Sequence, residues 1–364
     1  MKILVLNYEF PPLGGGASPV SYDICKYLVQ RGHRVVVITM GYKDLEKHEI
    51  IDGIEIYRLT CIRSKVNVCH PWEQLSYIIS AVIFLKKHLK QNEYDVNHTH
   101  FIIPTGVISK WLKKKYGIPY VITAHGSDVL GHNNKRFRWL YSLLKNPWCS
   151  IVRNAKVVVA PSEYLKDLMT RSEKSANYVV IPNGIDTDLF KPLEKKPYLL
   201  VMSRLQETKA VDVIIRALAR VELEDWKLVI AGDGPQRTNL EELIKSLQLE
   251  NKVVFKGWIK GRSKEHLELL GHAAIFVSAS RVENCPTSIL EALSARCKVV
   301  ASNIDAHCQM LEKNGRLFVK DDVEELAKIL QEEMTLEKSN DIDLKNWKWE
   351  SIIDKYEESL IHLI

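Results

Sequence analysis

The chain has 364 residues, 46% hydrophobic and 26% charged, which suits a folded protein of two domains and excludes an intrinsically disordered one. Its seven cysteines are odd in number and never spaced C-x-x-C, which argues against a zinc knuckle or a disulfide framework and for free thiols in a reducing compartment. The net charge of +6 is uneven: residues 1–185 carry 25 Lys and Arg against 14 Asp and Glu, the remainder 26 against 31, so the first half is expected to meet something anionic.

The first element is a buried strand over 2–7. Its apolar run is too short for a secretory signal, and no window reaches the ~18 apolar residues of a membrane span. The expected location is the cytoplasm, with peripheral attachment to the inner face of the membrane. Gly14-Gly15-Gly16-Ala17-Ser18 follows and opens a helix over 17–30. Glycines let a backbone approach a ligand, and a helix N-terminus attracts phosphate, so Gly15 and Gly16 are donor-binding candidates; a plain turn is the alternative. A dinucleotide fingerprint would need a third glycine and an acid ending the second strand. Pro19 and Thr39-Met40-Gly41 stand there instead, so NAD is disfavoured.

Further β-branched runs at 35–39, 54–59, 95–99, 120–123, 156–160 and 178–181 read as strands of a parallel sheet. Helical patterns lie between them at 73–90, 105–116, 137–153 and 164–170. The loop Ala124-His125-Gly126-Ser127-Asp128 sits at a strand's carboxyl end. There His125 suits hydroxyl binding or proton handling, and Asp128 is either an acceptor contact or a helix cap.

The polar stretch 186–197, with two prolines and no period, reads as a linker between a first domain (1–185) and a second (198–346). In the second domain, strands are expected at 198–202, 227–231, 253–255, 274–277, 298–301 and 316–319. Helices are expected at 209–220, 235–247, 264–270, 286–295, 306–313 and 323–334. A last amphipathic stretch, 347–364, carries Trp349, Ile352, Ile353, Tyr356 and Leu360 at helical spacing and is free to pack back on the first domain. The fold class is α/β: two Rossmann-like, doubly wound parallel-sheet domains facing across a cleft, with ligands at the carboxyl ends of strands.

Three loops of the second domain could carry chemistry. Ser203-Arg204-Leu205-Gln206-Glu207-Thr208-Lys209 sets two cations across a loop that opens a helix, a natural diphosphate seat that would neutralise a departing nucleoside diphosphate. Ala231-Gly232-Asp233-Gly234-Pro235 either shapes the nucleotide pocket through Gly232 or is only a tight connection, with Pro235 as a helix's first residue. Glu283-Asn284-Cys285-Pro286-Thr287-Ser288-Ile289-Leu290-Glu291 places Glu283 ahead of a helix opened by Pro286. The N–H groups of Thr287 and Ser288 can bind an anion, Glu291 can accept from ribose hydroxyls, and Glu283 can reach a sugar. Asp186-Thr187-Asp188 has the D-x-D spacing of metal-dependent sugar transferases, but it lies in a turn, where capping chemistry explains it, so no metal site is assigned.

In this order, these loops, with Pro182-Asn183-Gly184-Ile185-Asp186, resemble the group 1, family 4 retaining glycosyltransferases of the GT-B fold over nearly the whole chain. The resemblance implies a nucleotide-diphosphate sugar donor (UDP- or GDP-linked), a hexose or N-acetylhexosamine transferred with retention of configuration, and no metal or other cofactor. It implies that Arg204 and Lys209 contact the diphosphate, Glu291 the ribose, Glu283 the sugar hydroxyls and His125 the transferred sugar, with Gly15 and Gly16 against phosphates or acceptor. The sequence departs from the family where glycine usually stands at Ser203, Ala210 and Arg296, and where Asp305-Ala306-His307-Cys308-Gln309 replaces a Gly-Gly-x-Pro-Glu-like run. A nucleotide-sugar 2-epimerase of the same fold and a catalytically impaired relative are the alternatives. Nucleic acid is not an expected partner, because the basic residues line no recognised motif. Basic and aromatic residues in Lys135-Arg136-Phe137-Arg138-Trp139 and in the helix over 73–90, with Ile78, Ile79, Val82, Ile83 and Leu85 before Lys86-Lys87, suit an anionic membrane surface and a lipid-linked, polyprenyl-diphosphate-type acceptor.

Overall fold

The computed structural model describes residues 1–131, 138–311, 314–336 and 342–361, with the backbone alone at 138–142. The basic-aromatic segment at 135–139 thus lies outside the described residues or without a described side chain. The chain divides into two units, Met1–Gly184 with Trp349–Ile364, and Ile185–Lys348.

The first unit runs β1 (Lys2–Leu6), α1 (Ala17–Gln30), β2 (Arg34–Met40), β3 (His48–Ile51), β4 (Ile54–Leu59), α2 (Pro71–His88), β5 (Val96–His100), α3 (Thr105–Tyr116), β6 (Tyr120–Thr123), α4 (Arg138–Asn154), β7 (Val157–Ala160), α5 (Glu163–Ser172) and β8 (Tyr178–Val180). Its sheet has the order β3-β4-β2-β1-β5-β6-β7-β8. All neighbours are parallel except β3 and β4. Both faces are covered, which explains the continuous apolar strands. Ile3, Val5, Val35 and Val37 pack with Ile24 and Leu28 of α1, and Leu4, Leu6, Val36 and Ile38 with Tyr77, Ala81 and Leu85 of α2. Burying each such aliphatic side chain contributes about 1.5–3 kcal/mol.

The second unit runs β9 (Lys196–Met202), a 3-10 turn (Glu207–Lys209), α6 (Val211–Leu218), β10 (Lys227–Ala231), α7 (Arg237–Ser246), β11 (Val253–Gly257), α8 (Lys264–His272), β12 (Ala273–Ser278), α9 (Thr287–Ser294), β13 (Lys298–Ser302), α10 (Asp305–Leu311), β14 (Arg316–Phe318) and α11 (Val323–Thr335). Its six parallel strands lie in the order β11-β10-β9-β12-β13-β14. A final helix, α12 (Trp349–Ile361), belongs to the first unit: Trp349, Ile352, Ile353 and Tyr356 join the α1 face of the first sheet, and the Trp349 indole donates to Asp23 Oδ2 at 3.0 Å. Gly184 is where the chain makes room for that indole; a Cβ there would lie 2.5 Å from the ring.

Three expectations need correction. The segment 186–197 is no linker but part of the second unit: Phe190 is buried with Leu270 and Leu290, and β9 already begins at Lys196. The helix expected over 209–220 is broken at Ala210, whose left-handed backbone (φ 48°, ψ 40°) separates the 3-10 turn from α6. Pro235 does not open its helix, which starts at Arg237.

Candidate functional site

In each sheet the strand order reverses once, between β1 and β5 and between β9 and β12, and a crevice opens at the carboxyl ends of such a pair. In the second unit that reversal brings together loops that are far apart in sequence. Lys209 follows β9, Glu283 follows β12, and the Lys209 ammonium ion-pairs with Glu283 Oε1. Ser280 Oγ donates to the same oxygen at 2.7 Å. Arg204 lies exposed on the β9 loop and has no ion pair among the described residues, so its guanidinium is available to an anion.

Backbone packing sets these cations in place. The loop after β10 supports the loop after β9: Leu205 N–H donates to Asp233 O at 2.9 Å and Gln236 N–H to Leu205 O at 3.0 Å. A Cβ on Gly232 would sit 1.8 Å from the Ser203 carbonyl oxygen, so glycine there is a packing requirement of the Arg204 loop. Arg281 braces the Lys209 turn: its N–H donates to Thr208 O at 2.8 Å and its guanidinium to Glu207 O at 2.5 Å, while Asp321 holds Nε at 2.8 Å. The lost glycines leave traces. Ala210 and Arg296 (φ 55°) keep the left-handed backbone, and Ser203 buries a hydroxyl with no hydrogen-bond partner among the described residues.

Pro286 is the N-cap of α9, so Thr287 and Ser288 are first-turn residues whose N–H groups lack intrahelical acceptors. Glu291 projects from the second turn of that helix, and its Oε2 lies 3.5 Å from His266 Nε2 of α8. His307, in the run that departs from the family pattern, is fully buried. It bridges the ends of β12 and β13, with Nε2 3.3 Å from Ser278 Oγ and Nδ1 2.9 Å from Ser302 O. Burial lowers its pKa, which the backbone acceptor and the Glu283 charge partly oppose.

In the first unit, His125 follows β6 and pairs with His100, at the end of β5, across 3.1 Å between Nε2 and Nδ1. His98 lies beyond, its ring tilted against that of His100 at 4.4 Å and its Nε2 2.8 Å from Thr123 Oγ1. Burial pushes both His98 and His125 down to about 3, with the His98 charge adding to the effect on His125, and lowers His100 well below the usual range. These imidazoles are neutral hydrogen-bonding groups at any physiological pH. Asp128 is bound to the backbone of its own and the neighbouring loop. Its two oxygens accept the N–H groups of Ile102 (2.7 Å) and His125 (3.0 Å), which makes it the clamp of the His125 loop. Gly14, Gly15 and Gly16 precede α1; the Gly14 N–H donates to Val66 O, and the position of a Cβ on Gly16 is open space.

The sequence reading missed Ser280, His266, His307 and His100. Only His98 and His100 carry a local signal, an H-x-H pair on one face of a strand beside the switch point. Asp186 of the D-x-D accepts the N–H groups of Asp188 (3.1 Å) and Leu189 (3.2 Å), a turn. Among the described residues no three His, Cys, Asp or Glu are grouped to hold a metal.

Residues 14–189 match the family described as Glycosyltransferase Family 4, and residues 186–346 the one described as Glycosyl transferases group 1. An uncharacterised glycosyltransferase of Methanocaldococcus jannaschii is 28% identical over 86% of this chain and 84% of its own length. The GPI3 subunit of the Saccharomyces cerevisiae phosphatidylinositol N-acetylglucosaminyltransferase is 23% identical over 94% and 77%. The alpha-monoglucosyldiacylglycerol synthase of Streptococcus pneumoniae is 26% identical over 82% and 70%. Sucrose-phosphate synthase of Thermosynechococcus elongatus superposes with a TM-score of 0.78 at 18% identity, covering 100% of this chain and 99% of that one. HepE of Anabaena, solved with UDP-glucose, superposes with a TM-score of 0.76 at 21% identity, covering 100% of both. At these identities the superpositions establish the GT-B fold.

Proposed function

The chain belongs to the group 1, family 4 glycosyltransferases, and from that premise we propose that it moves a hexose or N-acetylhexosamine from a UDP- or GDP-linked sugar to a lipid-linked acceptor, retaining the anomeric configuration and using no metal. The observation that carries this reading is the convergence of Arg204, the Lys209–Glu283 pair and the N-terminus of α9 on one switch point. Two cations and a helix dipole supply positive charge where a departing nucleoside diphosphate gains negative charge, the task a divalent ion performs elsewhere. When the diphosphate takes over Lys209, Glu283 is released to accept hydrogen bonds from the sugar hydroxyls. Glu291 accepts from the ribose. His125, held neutral, contacts the transferred sugar.

Two observations support a lipid acceptor. Two relatives are named for glycosyl transfer to phosphatidylinositol and to a diacylglycerol lipid. Helix α2 also turns an apolar stripe to solvent: Trp72, Leu75, Ile79 and Ile83 are 61, 56, 54 and 65% exposed, while Leu85, grouped with them in the sequence reading, is buried. Ile62, 63% exposed, adjoins the stripe through its N–H to Ser76 Oγ at 3.0 Å, and Lys86, Lys87 and Lys90 follow. Such a stripe with a basic end suits the interface of an anionic bilayer. Among the described residues no helix is long and apolar enough to cross a membrane.

The test is a thermal-shift panel of UDP-, GDP-, ADP- and CMP-sugars, followed by transfer assays with and without EDTA. A ligand at 100 times its Kd raises stability by about 2.7 kcal/mol. A shift from a UDP- or GDP-sugar, lost in Arg204→Ala, is expected, with EDTA without effect and a product of unchanged anomeric configuration by proton NMR. No shift from any nucleotide sugar, or an inverted product, overturns the reading.

A further inference from the structure

One histidine backs a carboxylate proposed to grip the donor, and its hydrogen bonding is unfinished. His266 sits on the buried face of α8, with its ring edge against Phe190. The Arg262 backbone N–H donates to its Nδ1 at 2.8 Å. An Nδ1 that accepts cannot carry the ring proton, so the proton resides on Nε2. That N–H is buried and makes no hydrogen bond among the described residues. The carboxylate oxygen it faces, Glu291 Oε2, stands at 3.5 Å, beyond a good hydrogen bond. A buried donor left unmade is costly and calls for an explanation from the state in which it is satisfied.

We infer that His266 is a positioning residue for ribose recognition: its Nε2–H closes on Glu291 Oε2 when a nucleoside diphosphate binds, which turns Oε1 toward the ribose hydroxyls. This rests on the proposed role of Glu291 and adds what holds that side chain. A carboxylate on a helix is free to rotate about its last torsion. With one oxygen fixed by a buried ring N–H, the lone pairs of the other have one direction to offer, and two hydroxyls on adjacent carbons need such a fixed acceptor. Cys285 and Pro286 lie before the helix and Glu291 one turn into it, so the anchor comes from α8 and not from the helix that bears the carboxylate.

The probe is whichever of UDP, GDP and ADP binds the full chain most tightly by isothermal titration, measured beside its 2′-deoxy and 3′-deoxy forms. In the unaltered protein, loss of a ribose hydroxyl is expected to weaken binding about tenfold, the scale of one hydrogen bond to a charged group. In His266→Leu that penalty should shrink below about twofold, with the deoxy form binding as before; His266→Gln, whose amide can place a donor near the Nε2 position, should restore most of it. An undiminished penalty in His266→Leu overturns the inference. Glu291→Ala separates the two levels: if it abolishes the penalty while His266→Leu does not, only the role of His266 fails, and if it leaves the penalty intact, the ribose assignment fails with it. Should His266→Leu not fold, the ring 15N resonances of His266 decide in the unaltered protein. A protonated Nε2 whose shift moves on nucleotide binding supports the inference, and an unmoved Nε2 or a proton on Nδ1 overturns it. Absence of binding by all three nucleotides removes both the inference and the reading beneath it.

Discussion

The two units place their candidate residues at equivalent positions, the carboxyl ends of parallel strands beside the point where strand order reverses, yet they arrive at opposite electrostatics. The first unit offers a row of neutral imidazoles: His100 and His125 are hydrogen-bonded to each other, and His98 packs its ring against His100 and bonds to Thr123. The second offers Arg204, exposed, and Lys209 already paired with Glu283 at a partly open surface. The groups of the first unit offer directed hydrogen bonds, and those of the second offer charge. The shared fold supplies the crevice; the side chains on its loops decide which kind of group it can hold.

This contrast can be broken from either side. Removing charge from the second unit should cost most: Arg204→Ala or Lys209→Ala is expected to lower kcat by about 100–1000-fold, some 3–4 kcal/mol of transition-state stabilisation, in a transfer assay. A loss below fivefold would mean that charge is not what this end contributes. Acid should next act on the first unit. His98 and His125 take up protons in the unfolded chain below about pH 6.5 but not in the folded one until about pH 3, so their contribution to stability is full above 6.5 and is lost as pH falls. At about 1.4 kcal/mol per pH unit, each of the two is expected to cost at most about 2 kcal/mol by pH 5, read in calorimetry. The second unit, where burial lowers His307, should lose less. A smaller effect concerns the surface: Leu75→Glu with Ile79→Glu should weaken binding to anionic vesicles at low salt about tenfold, leaving the melting temperature unchanged, since both side chains already face water. Smallest is Ala210→Gly, which relieves a left-handed residue and should stabilise the second unit by about 1 kcal/mol in denaturant titrations.

How much of this was legible in the sequence follows from what each feature depends on. Strands such as β2, with six of its seven residues buried, announce themselves by composition alone. Strand β3 does not, because Ile50 and Glu49 lie on an open edge; the signal available was Asp52-Gly53, both at positive φ, a two-residue hairpin turn. The stretch 186–197 looked like a linker because its polar residues outnumber the few apolar anchors, of which Phe190 is the buried one. Arg204, Lys209, Glu283 and Glu291 could be picked out by resemblance. Their partners could not, since the Lys209–Glu283 pair spans 74 residues and depends on β9 lying beside β12, which no local periodicity encodes. The same holds for His266, whose meaning comes only from the neighbouring helix.

The return of α12 to the first sheet has a consequence for biosynthesis. The unit from Ile185 to Lys348 is continuous in sequence and can fold as soon as it has left the ribosome. The unit translated first cannot finish: until the last turns are made, the apolar groove that takes Trp349, Ile352 and Tyr356, and the Asp23 carboxylate that accepts the indole N–H, stay open. The order of synthesis and the order of completion are therefore reversed. A nascent chain stalled before residue 349 should present a finished second unit and a sticky, protease-sensitive first one.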